Sequence, residues 1–331
     1  TLKLTKSVKH FNKFNSGDII IKAVKTVLVK LFLCLTFLAF ISIHATSQES
    51  WYIKQISNDI NGIQLFSNSS GKGIAVGEGG IIYKSSNEGT SWDISFSNVT
   101  TSYLWSCYFI DENSGIAVGS NGTIIKTTDG ANTWTLINSN VFNDLYYVTF
   151  ADAQTGWING SGGRILKTTN SGNSWTTQVS GTGSNLFNSS FINSATGWIA
   201  GDNGVIKTTN GGTNWTLKLD EPWVYSTYFI SGNTGWAGVR FGKMFKTTDG
   251  GESWNQQVSG SGATFYSLKF SNANTGYATG DYNTIIKTTN GGANWITQQS
   301  GISNNTQKFC SISIRSENGN SCWISGFNGT I

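Results

Sequence analysis

The sequence predicts an all-β protein of the propeller class, and three observations carry that reading. The first is a nine-residue phrase that recurs six times: KSSNEGTSW (84–92), KTTDGANTW (126–134), KTTNSGNSW (167–175), KTTNGGTNW (207–215), KTTDGGESW (246–254) and KTTNGGANW (287–295). The second is its period. The closing tryptophans Trp92, Trp134, Trp175, Trp215, Trp254 and Trp295 are spaced by 42, 41, 40, 39 and 41 residues, the length of one four-stranded blade. The third is composition: 40 Gly, 13 Trp, one Pro and 12% charged residues in 331, which suits many short strands joined by tight turns.

Each unit reads as an up-and-down meander. In the third, LYYVTF (145–150) is a first strand, GWING a second, RILKTT a third and SWTTQV a fourth, with Gly-bearing turns between them. No stretch carries a helical period. At the N-terminal side SWYIKQIS (50–57) matches the fourth strands, and Trp51 stands 41 residues before Trp92. The residues from Phe309 to Ile331 supply a first strand, a second and the beginning of a third. The expectation is therefore a seven-bladed β-propeller of four-stranded antiparallel blades, closed by the N-terminal strand. Its last blade is expected to be truncated, because GFNGTI stops where GSNGTI (119–124) continues into IKTT.

The recurring phrase reads as a turn staple. Its pattern is Ser/Thr-x-Asp/Asn-x-Gly-x-x-Trp, with Asn87, Asp129, Asn170, Asn210, Asp249 and Asn290 at the third position. An Asx side chain is expected to accept from a backbone N–H two residues on, and the glycine to permit positive φ. Ala131 replaces that glycine, so its turn is expected to differ. The tryptophan is expected to cover its own hairpin or the next blade. Four of the six Asx positions are Asn, which carries no proton in transfer, so a catalytic role is set aside.

The N-terminal segment has a different character. Seven of the 22 basic and one of the 18 acidic residues fall in the first 47, leaving 15 against 17 for the body. A slightly acidic body argues against a nucleic-acid partner. LFLCLTFLAFISI follows a basic stretch and precedes HATSQES, the layout of a secretory signal, and it is too short to span a membrane. Residues 1–47 are expected to be an upstream segment plus a signal cleaved after Ser47, with residues 1–24 standing upstream of the signal. Residues 48–331 are expected to be one propeller domain, secreted to the periplasm or the cell exterior, meeting a membrane only through an uncleaved signal. His10 and His44 both lie in the leader, and Cys107, Cys310 and Cys322 match no metal spacing. No metal and no cofactor are expected, and the three cysteines read as small buried strand residues.

These stretches resemble the Asp-box, or BNR, repeat of sialidases, sortilin-type receptors and some glycoside hydrolases. The longer unit TGWxxGxxGxIxKTTNGGxxW most resembles the Ycf48/Hcf136-like propellers, and the resemblance covers residues 50–331. It is to secreted bacterial members rather than to the photosystem II assembly factors, whose arginine-rich patch has no counterpart in a body with only Arg164, Arg240 and Arg315. A sialidase, by resemblance, needs three converging arginines, and these three fall in non-converging turns. A two-carboxylate glycosidase would draw on Glu78, Asp202 and Asp281 in second-to-third loops, and the reading leans away from an enzyme.

A binding site is sought where a unit departs from its own pattern. The link into the fifth blade is LDEPWVYS, and that blade's second-to-third loop is VRFGK where others have SNG or DNG. Both loops emerge on one face by strand parity. Asp220, Glu221, Trp223, Tyr225, Arg240 and Phe241, widened by Tyr282 and Phe327, are the candidate contact residues for a protein or glycan partner. Trp105, Tyr108, Tyr146 and Tyr147 lie in first strands and are expected in the core. The expected function is a binding or scaffold propeller; the alternatives are a carbohydrate-active enzyme or its targeting module, and a photosystem II assembly-like role.

Overall fold

The computed structural model describes residues 58–66, 71–95, 98–303, 306–314 and 322–331. Six units form four-stranded antiparallel sheets in simple sequential order, and a seventh sheet has two strands, Phe309–Ile314 and Cys322–Gly326. In the third blade the strands are Leu145–Phe150, Gly156–Gly160, Ile165–Thr168 and Thr176–Gln178, close to the boundaries read from sequence. The expected seventh four-stranded blade is therefore corrected to a two-stranded sheet. Beyond Gly326 the chain makes a turn and a single bridge, Gly326 to Thr330, which is too little for a ladder. Segment 50–57 with Trp51, the expected closing strand, lies outside the described residues, as do the leader and Arg315.

The seven first strands pack side by side in cyclic order: Ile60–Leu65, Leu104–Phe109, Leu145–Phe150, Leu186–Phe191, Val224–Phe229, Phe265–Phe270 and Phe309–Ile314, the last beside the first. Leu65 N–H donates to Ser313 Oγ (3.0 Å), and Asn328 N–H to Asp59 Oδ1 (2.7 Å), across that junction. A first strand has an unpaired inner edge, whose N–H groups need partners. Polar side chains of the neighbouring blade supply several of them. Phe229 N–H donates to Ser190 Oγ (2.9 Å), Thr227 N–H to Asn188 Oδ1 (2.9 Å) and Phe109 N–H to Gln64 Oε1 (2.8 Å). This is why serine, asparagine and glutamine stand in these first strands.

The core lies between blades and follows one repeated stack. Trp198, in the second strand Gly197–Gly201, lies flat on Phe229 of the next blade at 3.5 Å between centroids. Trp254, from that next blade's own repeated turn, meets the same ring edge-on at 5.8 Å. Trp157–Phe191–Trp215 and Trp236–Phe270–Trp295 repeat the arrangement. Edge-to-face and offset-stacked geometries are the favoured ones for aromatic pairs. The glycine before the second-strand tryptophan makes room for that ring: a Cβ on Gly235 would sit 2.5 Å from Phe229.

The nine-residue phrase closes the stack from below. In the fourth copy Thr208 Oγ1 accepts from Gly212 N–H (2.9 Å), and Asn210 Oδ1 accepts from Asn214 N–H (3.0 Å). The Asx oxygen thus reaches four residues on rather than the expected two, and the threonine hydroxyl shares the staple. Where Asp stands, as in Asp249, its carboxylate accepts from Ser253; where Asn stands, as in Asn170, its amide donates to Ser174. A hydroxyl that can donate or accept makes the two interchangeable. Ala131 corrects a further expectation. It adopts φ 63° and donates its N–H to Thr127 Oγ1 (3.0 Å), the same turn as in the glycine copies.

Candidate functional site

One face of the ring is set by a local irregularity common to all first strands. Each carries a register shift around its second residue, as between Leu104 and Ser106 or Val224 and Ser226. A bulge re-aims the side chain it inserts. The residues at that position are Asn61, Trp105, Tyr146, Phe187, Tyr225, Tyr266 and Cys310, so five successive blades place an aromatic ring there.

The five rings form a continuous arc. Trp105 meets Tyr146 at 6.2 Å, Tyr146 meets Phe187 at 5.9 Å, Phe187 stacks on Tyr225 at 4.8 Å, and Tyr225 meets Tyr266 edge-on at 5.2 Å. Tyr103 extends the arc beyond Trp105 (5.3 Å), and Lys308 caps its other end 3.9 Å from the Tyr266 ring. Burial raises the phenol pKa values of Tyr146, Tyr225 and Tyr266, and the Asp281 carboxylate adds to the effect on Tyr266. These hydroxyls stay protonated, and that of Tyr266 donates to Asp281.

The pattern-breaking loops stand at the end of this arc. Trp223 stacks on Tyr225 at 6.5 Å, and the Arg240 guanidinium lies 5.0 Å from the Trp223 ring and 4.4 Å from that of Phe241. Trp223, Tyr225, Arg240 and Phe241 therefore come together as read from sequence. Glu221 forms an ion pair with Lys243 (2.6 Å), and Asp220 is exposed. Tyr282 is 62% exposed on the neighbouring blade's loop, and Phe327 lies on that side through Lys308, 5.2 Å from its ring.

Three of the loop aromatics hold a costly backbone. Trp223, Phe241 and Tyr282 have φ of 63°, 59° and 57°. At the position of Phe241 and Tyr282 the other second-to-third loops have Gly79, Asn121, Gly162, Asn203 and Asn328. Left-handed backbone costs a bulky residue roughly 1–2 kcal/mol, and Phe241 is 70% exposed, so core packing does not repay it. Strain of this kind gathers at functional sites.

Trp105, Tyr108, Tyr146 and Tyr147 correct the sequence reading. They are half-buried and line the central channel; Tyr108 also packs on the core ring of Phe150 (5.3 Å). The sequence reading placed them in the core because they stand in first strands, and the bulge at the second residue lets neighbours such as Tyr146 and Tyr147 both face the channel. The available signal was the aromatic at the second place of five successive first strands. Cys107 and Cys310 also line the channel, and burial pushes both thiols up to about 12, so they are not reactive nucleophiles.

The carboxylates of the enzyme alternative are each occupied separately. Glu78 lies close enough to Tyr103 to raise its phenol pKa, Asp202 accepts from Asn185 N–H (3.0 Å), and Asp281 accepts from Tyr266 Oη (3.3 Å). Arg164 donates to Asn143 and Arg240 covers two rings, so these two arginines do not form a shared grip. Among the described residues no group of three or more His, Cys, Asp or Glu is placed to hold a metal ion, and no helix is long and apolar enough to cross a membrane.

Repeated Asp-box turns, sequential four-stranded blades and a channel ringed by first strands define a BNR-repeat β-propeller. Residues 126–263 match the family model of the photosynthesis system II assembly factor YCF48. Over that span the chain is similar to the Ycf48-like BNR-repeat propellers. Among solved structures it is similar to YCF48 bound to a D1 peptide, at 19% identity and TM-score 0.69, covering 85% of this chain and 93% of that one. YCF48 from Cyanidioschyzon merolae matches at 16% identity and TM-score 0.68, over 84% and 97%. The GH74 enzyme from Niastella koreensis matches at 15% identity and TM-score 0.66, with 86% of this chain spanning 53% of the enzyme. No curated protein matches the chain.

Proposed function

We propose that the chain is a non-enzymatic binding or scaffold propeller that presents its channel-mouth face to a protein partner. The observation that carries this is the aromatic arc from Trp105 to Tyr266, prolonged by Trp223, Arg240 and Phe241. Large, partly exposed rings with a guanidinium among them are the residue types that dominate recognition surfaces. The holding of Phe241 and Tyr282 at positive φ supports selection for their side chains. The likeness to a YCF48 solved with a D1 peptide favours a polypeptide over a glycan. The scarcity of arginine on this face separates it from a photosystem II assembly role.

In this reading the leader through Ser47 directs secretion, and the partner is met outside the cytoplasm.

The test is a peptide-and-glycan array probed with the full chain, with Trp223→Ala and Phe241→Asn beside it. Peptide binding that both variants weaken supports the proposal. Binding that neither variant changes, or binding confined to glycans, overturns it.

A further inference from the structure

Behind the aromatic mouth the channel encloses a cavity of about 620 Å³, lined by all seven first strands. Its lining is polar but almost uncharged. Among the described residues that form it there is no aspartate or glutamate, and the one charged side chain is Lys269. The fifth residue of the first strand is Gln, Tyr, Thr, Ser or Tyr in the first five blades and Ser in the seventh; only in the sixth is it a lysine.

The Lys269 ammonium lies 5.2 Å from the centroid of the Tyr228 ring. The Tyr147 phenol stands across the lumen within electrostatic reach of the ammonium, with the Tyr108 phenol near it. None of the described carboxylates pairs with it. Burial pulls its pKa down, but the surrounding phenols outweigh that pull and hold it above the ordinary lysine value, so it stays charged. A cation removed from bulk water with no counter-ion is unfavourable and is normally paired or hydrated. Here the partner groups are neutral, the space beside them is open, and the rings above make an apolar approach.

We propose that the channel is a binding site for a carboxylate, with Lys269 as its counter-ion and the Tyr147 hydroxyl as a second donor. The Tyr147 O–H lines the same lumen and can donate to a carboxylate oxygen. One lysine among neutral phenols balances a single negative charge, which fits a monocarboxylate better than a phosphate dianion. The cavity volume falls within the ordinary range for small-ligand sites, and the arc above it offers stacking to an aromatic or apolar body. That carboxylate belongs either to a free organic acid or to the end of a polypeptide chain. The inference stands on the channel lining and holds whether or not the rim takes a protein partner.

The experiment is calorimetric titration of the full chain with benzoate against benzamide, and with a tripeptide ending in Phe against its C-terminal amide, repeated on Lys269→Met. At least one acid should bind about tenfold or more tightly than its amide in the native protein, the scale of one charge-assisted hydrogen bond. That ratio should fall to about one in Lys269→Met. Binding of benzoate assigns the site to free acids, and binding of the free-ended peptide alone assigns it to chain termini. Equal affinity for acid and amide, no binding of either acid, or an unchanged ratio in the variant overturns the proposal. If Lys269→Met does not give the native β-sheet circular dichroism, Lys269→Gln takes its place, and the acid-to-amide ratio in the native protein decides without it. Loss of array binding in Trp223→Ala with the ratio intact would separate failure at the rim from failure in the channel.

Discussion

Replacing Trp236 by alanine should destabilise the ring more than replacing Trp254, although the second belongs to the repeated phrase and the first does not. Trp236 is fully buried, lies 3.6 Å from Phe270 of the next blade and donates its indole N–H to Gly291 O (3.1 Å). That carbonyl also accepts from Lys246 (2.8 Å), so removing the indole does not orphan it. The loss is therefore apolar contact and cavity. A buried tryptophan hides roughly 200 Å², worth about 5 kcal/mol at ~25 cal/mol per Å², and partial collapse brings the expected cost to about 3–5 kcal/mol. Trp254 is only half-buried and meets Phe229 edge-on, so its truncation should cost about 2 kcal/mol. Urea unfolding followed by tryptophan fluorescence and far-ultraviolet circular dichroism would measure both, provided that the two probes coincide and the m-value is unchanged. An equal or larger loss for Trp254→Ala would refute the claim that the inter-blade stack, rather than the staple, carries the packing energy.

Two further predictions concern the face and the turns. Phe241→Asn exchanges about 1–2 kcal/mol of left-handed strain for the loss of one exposed cation–π contact of about 0.5–1 kcal/mol, so its melting temperature should stay within a few degrees of the parent; a large drop would make Phe241 structural. The Asp249 carboxyl is held well below its ordinary range by the hydroxyl and the backbone N–H of Ser253, and Asp129 is held to about 2, chiefly by the Thr133 hydroxyl. A depressed folded-state pKa stabilises above the unfolded value, near 3.8, and that contribution is lost as pH falls toward the folded value. The double variant Asp129→Asn, Asp249→Asn should match the parent at neutral pH and lose less stability between about pH 4 and 2. Parallel melting curves across that range would contradict it.

The class of fold was legible because a repeat writes its structure several times over. Six phrases at a spacing near 40, Gly-bearing turns and strands of alternating character leave little besides a propeller, and the Asp-to-Asn exchange among copies already marks the phrase as a turn. Even the clustering of Trp223 with Arg240 was readable, since a unit that breaks its own pattern stands out against its siblings. What only the tertiary structure decided is where side chains point when the local rule is broken. The bulge at the second residue of each first strand turns Trp105, Tyr146, Phe187 and Tyr266 to the channel, while the sequence reading had placed Trp105 and Tyr146 in the core. Phe229 shows the other limit. It is clasped by Trp198 of one blade and Trp254 of its own, a contact between residues far apart in the chain that no period announces. Lys269 likewise reads as one polar residue in a strand until the ring closes around it. Local spacing encodes turns and strands because those interactions are short-range, whereas the lumen and its uncompensated charge exist only once the first strands of all seven units stand together.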